Sequence, residues 1–492
     1  MKRLILLLYL ILVLQADTPS ISYNGYVDFA MILQQSQYTL LNKKTYELSN
    51  YSLIDIPYRM GSIDFSHQSN NISLNGNLTL EYQLQKDTYF LGSIDPQDFR
   101  LDMREIYGTI FGDNYEFRFG KQIHSWGSVD ENSPVDNASA FDYYYIFFLG
   151  RERKMATLSS AIDYYLGNLK INTVFSPTHT TNRLPLGNDD FPITLPIYPS
   201  ENQIYSISGL PFEGGIQGTY SFGIGDLSVS YFSGYDRVFN FSGVNVYSTE
   251  SQSSFSPPDL VFGYRKTEVF GFGATLLNPY VIIRGDYANF FTKDLNSSIN
   301  RPYSNSSLAV VYPTLYISYP LKEKANYEQY TFQVETELPL KINFIGQYFS
   351  NKIISFSSDS LPDVEIDIPG FEYDPESMTP ENLFIPGMGV PLAVITNKAA
   401  IIIMNKTFMN EQLKVSMTSL FDLEKYNRPS YITGIPGSLI EYKIEYNINE
   451  DLLGLFGITK VQGTDFHPDG DSYQFKSMEN FSHFRFELKY FL

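Results

Sequence analysis

The feature of this sequence that most restricts its fold is an alternation of very short and very long connections between segments with a two-residue period. The segment 72–84, ISLNGNLTLEYQL, has an apolar residue or glycine at every second position and a polar residue between each pair. That period is typical of a strand with one apolar and one polar face. Eighteen segments are predicted as strands: 21–33, 59–67, 72–84, 100–111, 115–122, 154–166, 168–175, 213–222, 225–235, 264–275, 279–290, 327–338, 341–350, 398–408, 411–421, 438–447, 451–460 and 482–492.

Every second connection between these segments is a tight turn, such as 112–114 or 223–224, and the others run from 85–99 up to 351–397. A water-soluble sandwich has no reason to place all its long loops at one end, whereas an outer-membrane barrel has short periplasmic turns and long extracellular loops. We therefore predict an all-β fold: a transmembrane antiparallel β-barrel of about 18 strands. The range is 16 to 20 strands, because 308–318 could form another hairpin arm.

The first residues predict export from the cytoplasm. Lys2 and Arg3 precede the apolar run 4–14, which is about as long as a signal-peptide core and too short to span a bilayer as a helix. We expect residues 1–16 to be a signal peptide and residues 17–492 to form a single barrel, with an uncleaved anchor as the alternative. The expected location is the outer membrane of a Gram-negative bacterium.

Composition excludes several classes of protein. The formal net charge of −19 disfavours binding to nucleic acid, whose phosphates it would repel. The chain has no cysteine, which excludes disulfide scaffolds, thiol catalysis and thiolate metal sites. The 39 tyrosines and 38 phenylalanines favour sheet and would suit interfacial girdles. A soluble all-β core is the alternative explanation of this aromatic content.

Several short motifs cluster between residues 101 and 185. They are Arg104, Glu105 and Tyr107 in one strand; Arg118, Gly120, Lys121 and Gln122 at the end of the next; Trp126 with Gly127; Ser133, Pro134 and Asp136; and Arg151, Arg153 and Lys154. The pattern resembles a family of Gram-negative outer-membrane porin-like proteins of unassigned function, related in architecture to the alginate-export and phosphate-selective porins. The sequences GYDR at 234–237 and RGDYANF at 284–290 also resemble that family. The resemblance implies transport across the outer membrane, without a particular solute.

Segment 123–153 is the candidate for a constriction or plug. It combines the only tryptophan of the chain, the run FDYYYIFF at 141–148 and a basic cluster, which is unlike a solvated surface loop. Folded into the lumen, it would narrow the pore. The alternative is an external loop packed on its neighbours. The candidate pore-lining and constriction residues are Arg104, Glu116, Arg118, Lys121, Trp126, Asp136, Arg151, Arg153, Lys154, Arg284 and Asp286.

Paired charges on the polar phase of the strands, such as Glu116 with Arg118 and Arg284 with Asp286, suit a water-filled wall. Ion pairs that only stiffen the barrel are the alternative for any single residue.

Other reactive residues carry weaker signals. His67 stands two residues before Ser69, a spacing that resembles a barrel-embedded phospholipase, but the pair falls in a predicted periplasmic turn. The carboxylates at 189–190 and at 469 and 471 could bind calcium, although two carboxylates are far short of a full ligand set. We predict no catalytic residue, no metal site and no cofactor.

The predicted function is a porin-like channel for a small or medium-sized solute. A surface-binding, adhesin-type barrel with a sealed lumen is the alternative, and a barrel-embedded lipid hydrolase is the third. The expected partners are outer-membrane lipid and lipopolysaccharide, the outer-membrane barrel assembly machinery, an unknown solute and a periplasmic transport partner. Nucleic acid is not expected to bind.

Overall fold

The structure is a computed structural model. It describes residues 21–35, 51–53, 57–83, 99–146, 153–185, 199, 201–204, 207, 210–294, 300–359, 379–425, 434–468 and 473–492. The proposed signal peptide, residues 1–16, and the carboxylates at 189–190, 469 and 471 lie outside the described residues.

One antiparallel sheet dominates the described part of the chain. It contains 19 strands, of which Tyr51–Leu53 only extends the pairing of the first strand, so that 18 form the wall. The wall strands are β1 Ile21–Gln35, β2 Pro57–Ser69, β3 Ile72–Gln83, β4 Phe99–Phe111, β5 Tyr115–Gln122, β6 Thr157–Leu166, β7 Leu169–Ser176, β8 Glu213–Phe222, β9 Gly225–Tyr235, β10 Lys266–Leu277, β11 Val281–Lys293, β12 Lys324–Leu338, β13 Ile342–Ser357, β14 Lys398–Phe408, β15 Leu413–Asp422, β16 Gly437–Asn447, β17 Leu452–Gly463 and β18 His483–Phe491.

The sheet closes on itself. Strand β1 pairs with β2 through Ile21–Val27 and with β18 through Tyr26–Gln34, and each other wall strand pairs with its neighbours in sequence. Closure satisfies the backbone hydrogen bonds at what would otherwise be two free edges, which is the condition for a sheet in lipid. The prediction of an 18-stranded antiparallel barrel is confirmed.

The two faces of the wall differ as the two-residue period predicts. In β9, Val229 is 62% exposed on the outer face, while Ser228 and Phe232 point inward and are buried. The long connections all lie at one end, and the tight turns lie at the other end with Ile21 and Phe491. A closed antiparallel barrel with an apolar outer face and this asymmetry is the architecture of a Gram-negative outer-membrane protein. The described residues contain no helix with the length and apolar character needed to cross a membrane.

Two predicted segments need correction. The predicted strand 154–166 is wrong at its start, because Lys154–Met155 pairs with Ala140–Phe141 as a separate ribbon and β6 begins at Thr157. The segment 308–318 does not form a wall strand. Its residues belong to the helix Ser306–Val311 and to Thr314–Pro320, which joins Asn240–Ser248 and Asp259–Gly263 in a three-stranded sheet at the long-loop end.

The other helical elements of the described residues are short and lie among the loops. They are Gln474–Ser477 and the 3-10 turns Tyr143–Tyr145, Glu201–Gln203, Pro391–Val394 and Met478–Phe481.

Candidate functional site

The segment 123–146 leaves the wall at the end of β5 and reaches the opposite side of the barrel. Its residues 127–133 contact Asp286 on β11, Thr331 on β12 and Gln347 on β13, although β6 to β10 lie between β5 and those strands. All three contacted side chains are buried on the inward phase of the wall. The segment therefore crosses the barrel interior.

Asp286 anchors the crossing. Its carboxylate accepts hydrogen bonds from the backbone N–H of Ser128 at 2.9 and 2.8 Å and from that of Val129 at 3.0 Å. It also accepts one from the hydroxyl of Ser133 at 2.7 Å. Charge-assisted bonds of this kind are stronger than neutral ones, and two backbone donors on one carboxylate fix the local turn of the chain.

Two amides on the wall hold the tip of the segment. Gln333 accepts from the backbone N–H of Asp130 at 3.2 Å and donates to its carboxylate at 2.6 Å. Gln347 accepts from the side chain of Asn132 at 3.1 Å and donates to Gln333 at 2.8 Å. Sequence reasoning missed both glutamines, because it counted only charged residues on the polar phase that they share with Glu335.

Two glycines allow the segment to pack closely against the wall. Gly127 has a φ of +107°, and a Cβ there would lie 2.1 Å from Ser133 Oγ and 2.7 Å from Asp286 Oδ2. On the wall, a Cβ at Gly271 would lie 2.1 Å from Val135 Cγ1. Larger residues at either position would push the segment away from β10 and β11.

Trp126 connects the segment to the wall near its origin. It is buried, and its indole N–H donates to Asn172 Oδ1 at 2.7 Å. The amide of Asn172 donates to Asp163, and Asp163 also pairs with Arg118 at 3.0 Å. Arg118 is thus linked to Trp126 through two residues of the wall.

The base of the segment is closed by Lys154. Its ammonium group pairs with Asp136 and donates to Ser125 Oγ at 2.7 Å. Arg104 donates to the carbonyl of Lys154 at 2.9 Å. The β3–β4 register skips Arg104, which is the extra residue of a β-bulge and is directed inward.

The middle of the segment carries two further ion pairs. Arg284 on β11 pairs with Asp130 and lies 3.6 Å from Glu335, while Arg153 pairs with Glu131 at 2.9 Å. Asp130 and Glu131 were not among the predicted site residues, although both fall in the predicted segment.

Two other candidates, Glu116 and Lys121, lie apart from this cluster. Glu116 faces inward near the turn end of β5 and accepts from Tyr165 at 3.3 Å. Lys121 pairs in register with Leu158 on the outward phase, and its ammonium group donates to the carbonyl of Met103 at 2.6 Å. Arg151 lies outside the described residues.

The far end of the segment is tied to the wall by a buried charge cluster. Asp142 accepts from Arg59 and from Arg183, each at 3.2 Å, and Glu81 pairs with both arginines. The guanidinium of Arg59 also lies 3.9 Å from the ring centroid of Tyr145. Burial raises the pKa of Asp142, and the two guanidinium groups oppose that shift.

Where the segment crosses the interior, it leaves a cavity of about 490 Å³ that is lined by residues from 123–136 and by Phe141, Arg153 and Lys154. Trp126, Val129 and Phe141 form its apolar side, and Glu131 and Arg153 belong to its polar side. A space of this size, lined by apolar, polar and charged side chains, suits a small solute.

A second loop, 379–397, also folds inward and packs on the segment. The backbone N–H of Gly389 donates to Asn137 Oδ1 at 2.9 Å, and that of Val390 donates to Gln329 on β12 at 2.8 Å. The hydroxyl of Tyr327 donates to the carbonyl of Met388 at 3.2 Å.

An apolar cluster lies at the long-loop end of the interior. It joins wall residues near the loop ends of their strands to side chains from four or more loops, including Tyr143, Phe262, Leu392 and Phe475. The loops therefore pack over that mouth of the barrel as well as within it.

Two histidines, His67 and His124, have a serine nearby. His67 and Ser69 lie on the outward phase of β2, in register with Leu74 and Ile72. His124 is buried, and its Nε2 lies 2.8 Å from Ser159 Oγ. Within the described residues, no group of three histidine or acidic side chains is placed to hold a metal ion.

Comparison with known proteins gives only distant structural likenesses. No model of a protein family matches the chain, and no curated protein matches it. Among solved structures, OccAB1 of Acinetobacter baumannii is similar at 10% identity, with 97% of this chain and 96% of that chain covered and a TM-score of 0.45. OccAB4 of the same organism gives 10% identity, 97% and 99% coverage and a TM-score of 0.46. OccK2 (OpdF) of Pseudomonas aeruginosa, solved in complex with glucuronate, gives 8% identity, 96% and 98% coverage and a TM-score of 0.45. Likenesses at this level carry neither a solute nor an activity to this chain.

Proposed function

We propose that the protein is an outer-membrane channel in which segment 123–153 forms the constriction. The observation that carries the proposal is the docking of residues 127–133 on the inward face of β11 to β13, across the interior from the start of the segment. A segment held there narrows the passage and supplies its charged groups. The proposed constriction residues are Trp126, Asp136, Arg153, Lys154, Arg284 and Asp286 of the predicted set, together with Asp130 and Glu131.

Arg104 and Arg118 support the constriction from behind, through Lys154 and through Asn172. Lys121 is left out because it lies on the outward phase. No catalytic step and no cofactor is part of this proposal.

Conductance of the refolded protein in a planar lipid bilayer tests the channel. We expect discrete conductance steps, and a larger step after 128–150 is replaced by a short Gly-Ser linker. The linker variant keeps both adjoining wall strands, because β5 ends at Gln122, β6 begins at Thr157, and none of the described residues between 128 and 146 pairs with a wall strand. An unchanged conductance in a folded linker variant would show that the segment does not limit the passage.

The apolar cluster at the long-loop end favours a second candidate, a surface-binding barrel with a sealed lumen. In that case the wild-type protein would not conduct, and the external loops would carry the function. The same bilayer experiment separates the two candidates.

A further inference from the structure

The ion pairs beside the 490 Å³ cavity are unequal in exposure. The side chain of Asp130 is 49% exposed, whereas that of its partner Arg284 is 19% exposed. Glu131 is 45% exposed, against 14% for Arg153. In both pairs the carboxylate faces the open space and the guanidinium is covered.

Glu335 and the pair of Lys154 with Asp136 do not make the exposed charge beside the cavity positive. Glu335 shares Arg284 with Asp130 and is itself 36% exposed, so two carboxylates face one covered cation. In the pair of Lys154 with Asp136, both side chains are largely covered. The most exposed charged groups beside the cavity are therefore carboxylates, while Arg153 and Lys154, which also line it, are mostly covered.

A second cavity is also lined by negatively charged side chains. A space of about 280 Å³ lies along the inner wall of β1 to β4 and is lined by Asp64, Glu105 and uncharged polar residues such as Asn24 and Asn75. No lysine or arginine is among its described lining residues. Glu105 also accepts from the backbone N–H of Ile123 at 2.8 Å, so one acidic residue of this cavity contacts the base of the segment.

The exposed bases on the inward phase of the described wall strands lie elsewhere. Lys170 and Lys414 are 44% and 45% exposed and stand beside the tight turns at the other end of the barrel. The segment does not narrow the passage there, and salt screens charges over about 8 Å at physiological ionic strength. The carboxylates at the constriction act on a solute at much shorter range.

We propose that the channel selects cationic solutes, and that Asp130 and Glu131 set this preference. The inference rests on the proposed channel function and names its class of solute. Carboxylates at a narrow place with low-dielectric walls raise the local concentration of cations and exclude anions. An organic ammonium or guanidinium group of a size that fits 490 Å³ is the expected ligand chemistry.

The reversal potential of the refolded full-length protein in a potassium chloride gradient tests the sign. We expect potassium to be more permeant than chloride, and the ratio to rise as the salt falls from about 1 M to about 0.1 M, because screening weakens. N-methylglucammonium and gluconate extend the test, because they are polyols of similar size and opposite charge. We expect the ammonium ion to permeate better.

Asp130→Asn and Glu131→Gln test the two residues. Each should lower the potassium-to-chloride permeability ratio by at least about fivefold, which is the effect on the cation alone of removing one charge at about 4 Å in water. Asp451→Asn is the matched control, because Asp451 is an exposed carboxylate in a tight turn. It should leave the ratio unchanged. Heat-dependent migration on gels confirms that each variant is folded.

The outcomes separate the two proposals. A chloride-selective wild type, or a ratio that neither variant moves in folded protein, overturns the inference and leaves the channel intact. A folded wild type that never conducts overturns the channel and the inference with it.

Discussion

The barrel wall and the segment 123–146 are built on different principles. The wall is held by backbone hydrogen bonds between neighbouring strands, so most of its positions depend on the polarity of the side chain rather than on one particular residue. The segment is held by particular side chains of the wall that bond to its backbone, above all Asp286 and Gln333. The wall should therefore be sensitive to a charged residue on its lipid-facing side, and the segment to the loss of single side chains that bond to it.

The largest effect is expected from an arginine placed on the outward, lipid-facing side of a wall strand. Leu78 and Asn75 lie on opposite faces of β3, outward and inward. An arginine facing lipid near the bilayer midplane costs about 2–4 kcal/mol, whereas one facing water costs little. We expect Leu78→Arg to reduce the folded fraction after refolding into lipid far more than Asn75→Arg, as measured by heat-dependent gel migration. Equal folded fractions would contradict the assignment of faces.

The next effect is loss of the anchor of the segment. Asp286→Ala leaves the part-buried N–H of Ser128 and the buried N–H of Val129 without their partner, and an unsatisfied buried group costs about 1–3 kcal/mol. We expect the barrel to stay folded while residues 123–146 become cleavable by protease and conductance rises.

Asp226→Ala is the control for Asp286→Ala, since Asp226 faces inward near a tight turn, away from the segment. If both variants behave alike, the segment is held by other contacts.

A smaller effect is expected from alanine substitutions, which should differ in cost between two glycines with positive φ. Gly127→Ala combines a strained φ of +107° with a Cβ that would lie 2.1 Å from Ser133 Oγ. Gly167→Ala, in a tight turn of the wall, has a φ of +59° and no atom within 4 Å of the new Cβ. We expect Gly167→Ala to cost about 1 kcal/mol, and Gly127→Ala to cost more and to loosen the segment. Thermal melting measures the first effect and protease cleavage the second.

The smallest effect depends on pH and concerns His124 at the base of the segment. Burial, together with the positive charges of Arg118 and Lys154, lowers its pKa to about 3. Below about pH 6.5 the unfolded chain binds a proton that the folded chain does not, so this residue removes stability as the pH falls from about 6.5 toward 3. Between pH 7 and 5.5 the loss is about 1 kcal/mol.

His124→Gln should flatten this part of the pH dependence of the melting temperature. The same slope in wild type and variant would mean that His124 is accessible to protons in the folded protein.

The same contrast explains how much could be predicted from the sequence. Most wall strands were predicted within a few residues, as for Glu213–Phe222 against 213–222, because the two-residue period and the tight turns are local signals. Ile342–Ser357 runs well past its predicted end at 350. The ribbon at Lys154–Met155 was missed because it continues the period of β6.

For the segment, the sequence indicated where to look but not what holds it. Trp126 and the aromatic run marked 123–153 as unusual, yet Ser128 and Asp286 are 158 residues apart in the chain. No local pattern reports a contact of that separation. Gln333 and Gln347 carry no charge and resemble any other polar residue of an inward face, and the bulge that directs Arg104 inward depends on pairing with β3.

The single tryptophan has a practical consequence. The chain contains one Trp, and that residue is 5% exposed and lies on the segment, bonded to Asn172. Tryptophan emission from the whole protein therefore originates at one place, the point where the segment leaves the wall. A shift of that emission to longer wavelength, or quenching by a small solute in the lumen, would report movement or occupancy of the constriction without any attached dye. Trp126 is therefore an intrinsic fluorescent probe at the proposed constriction.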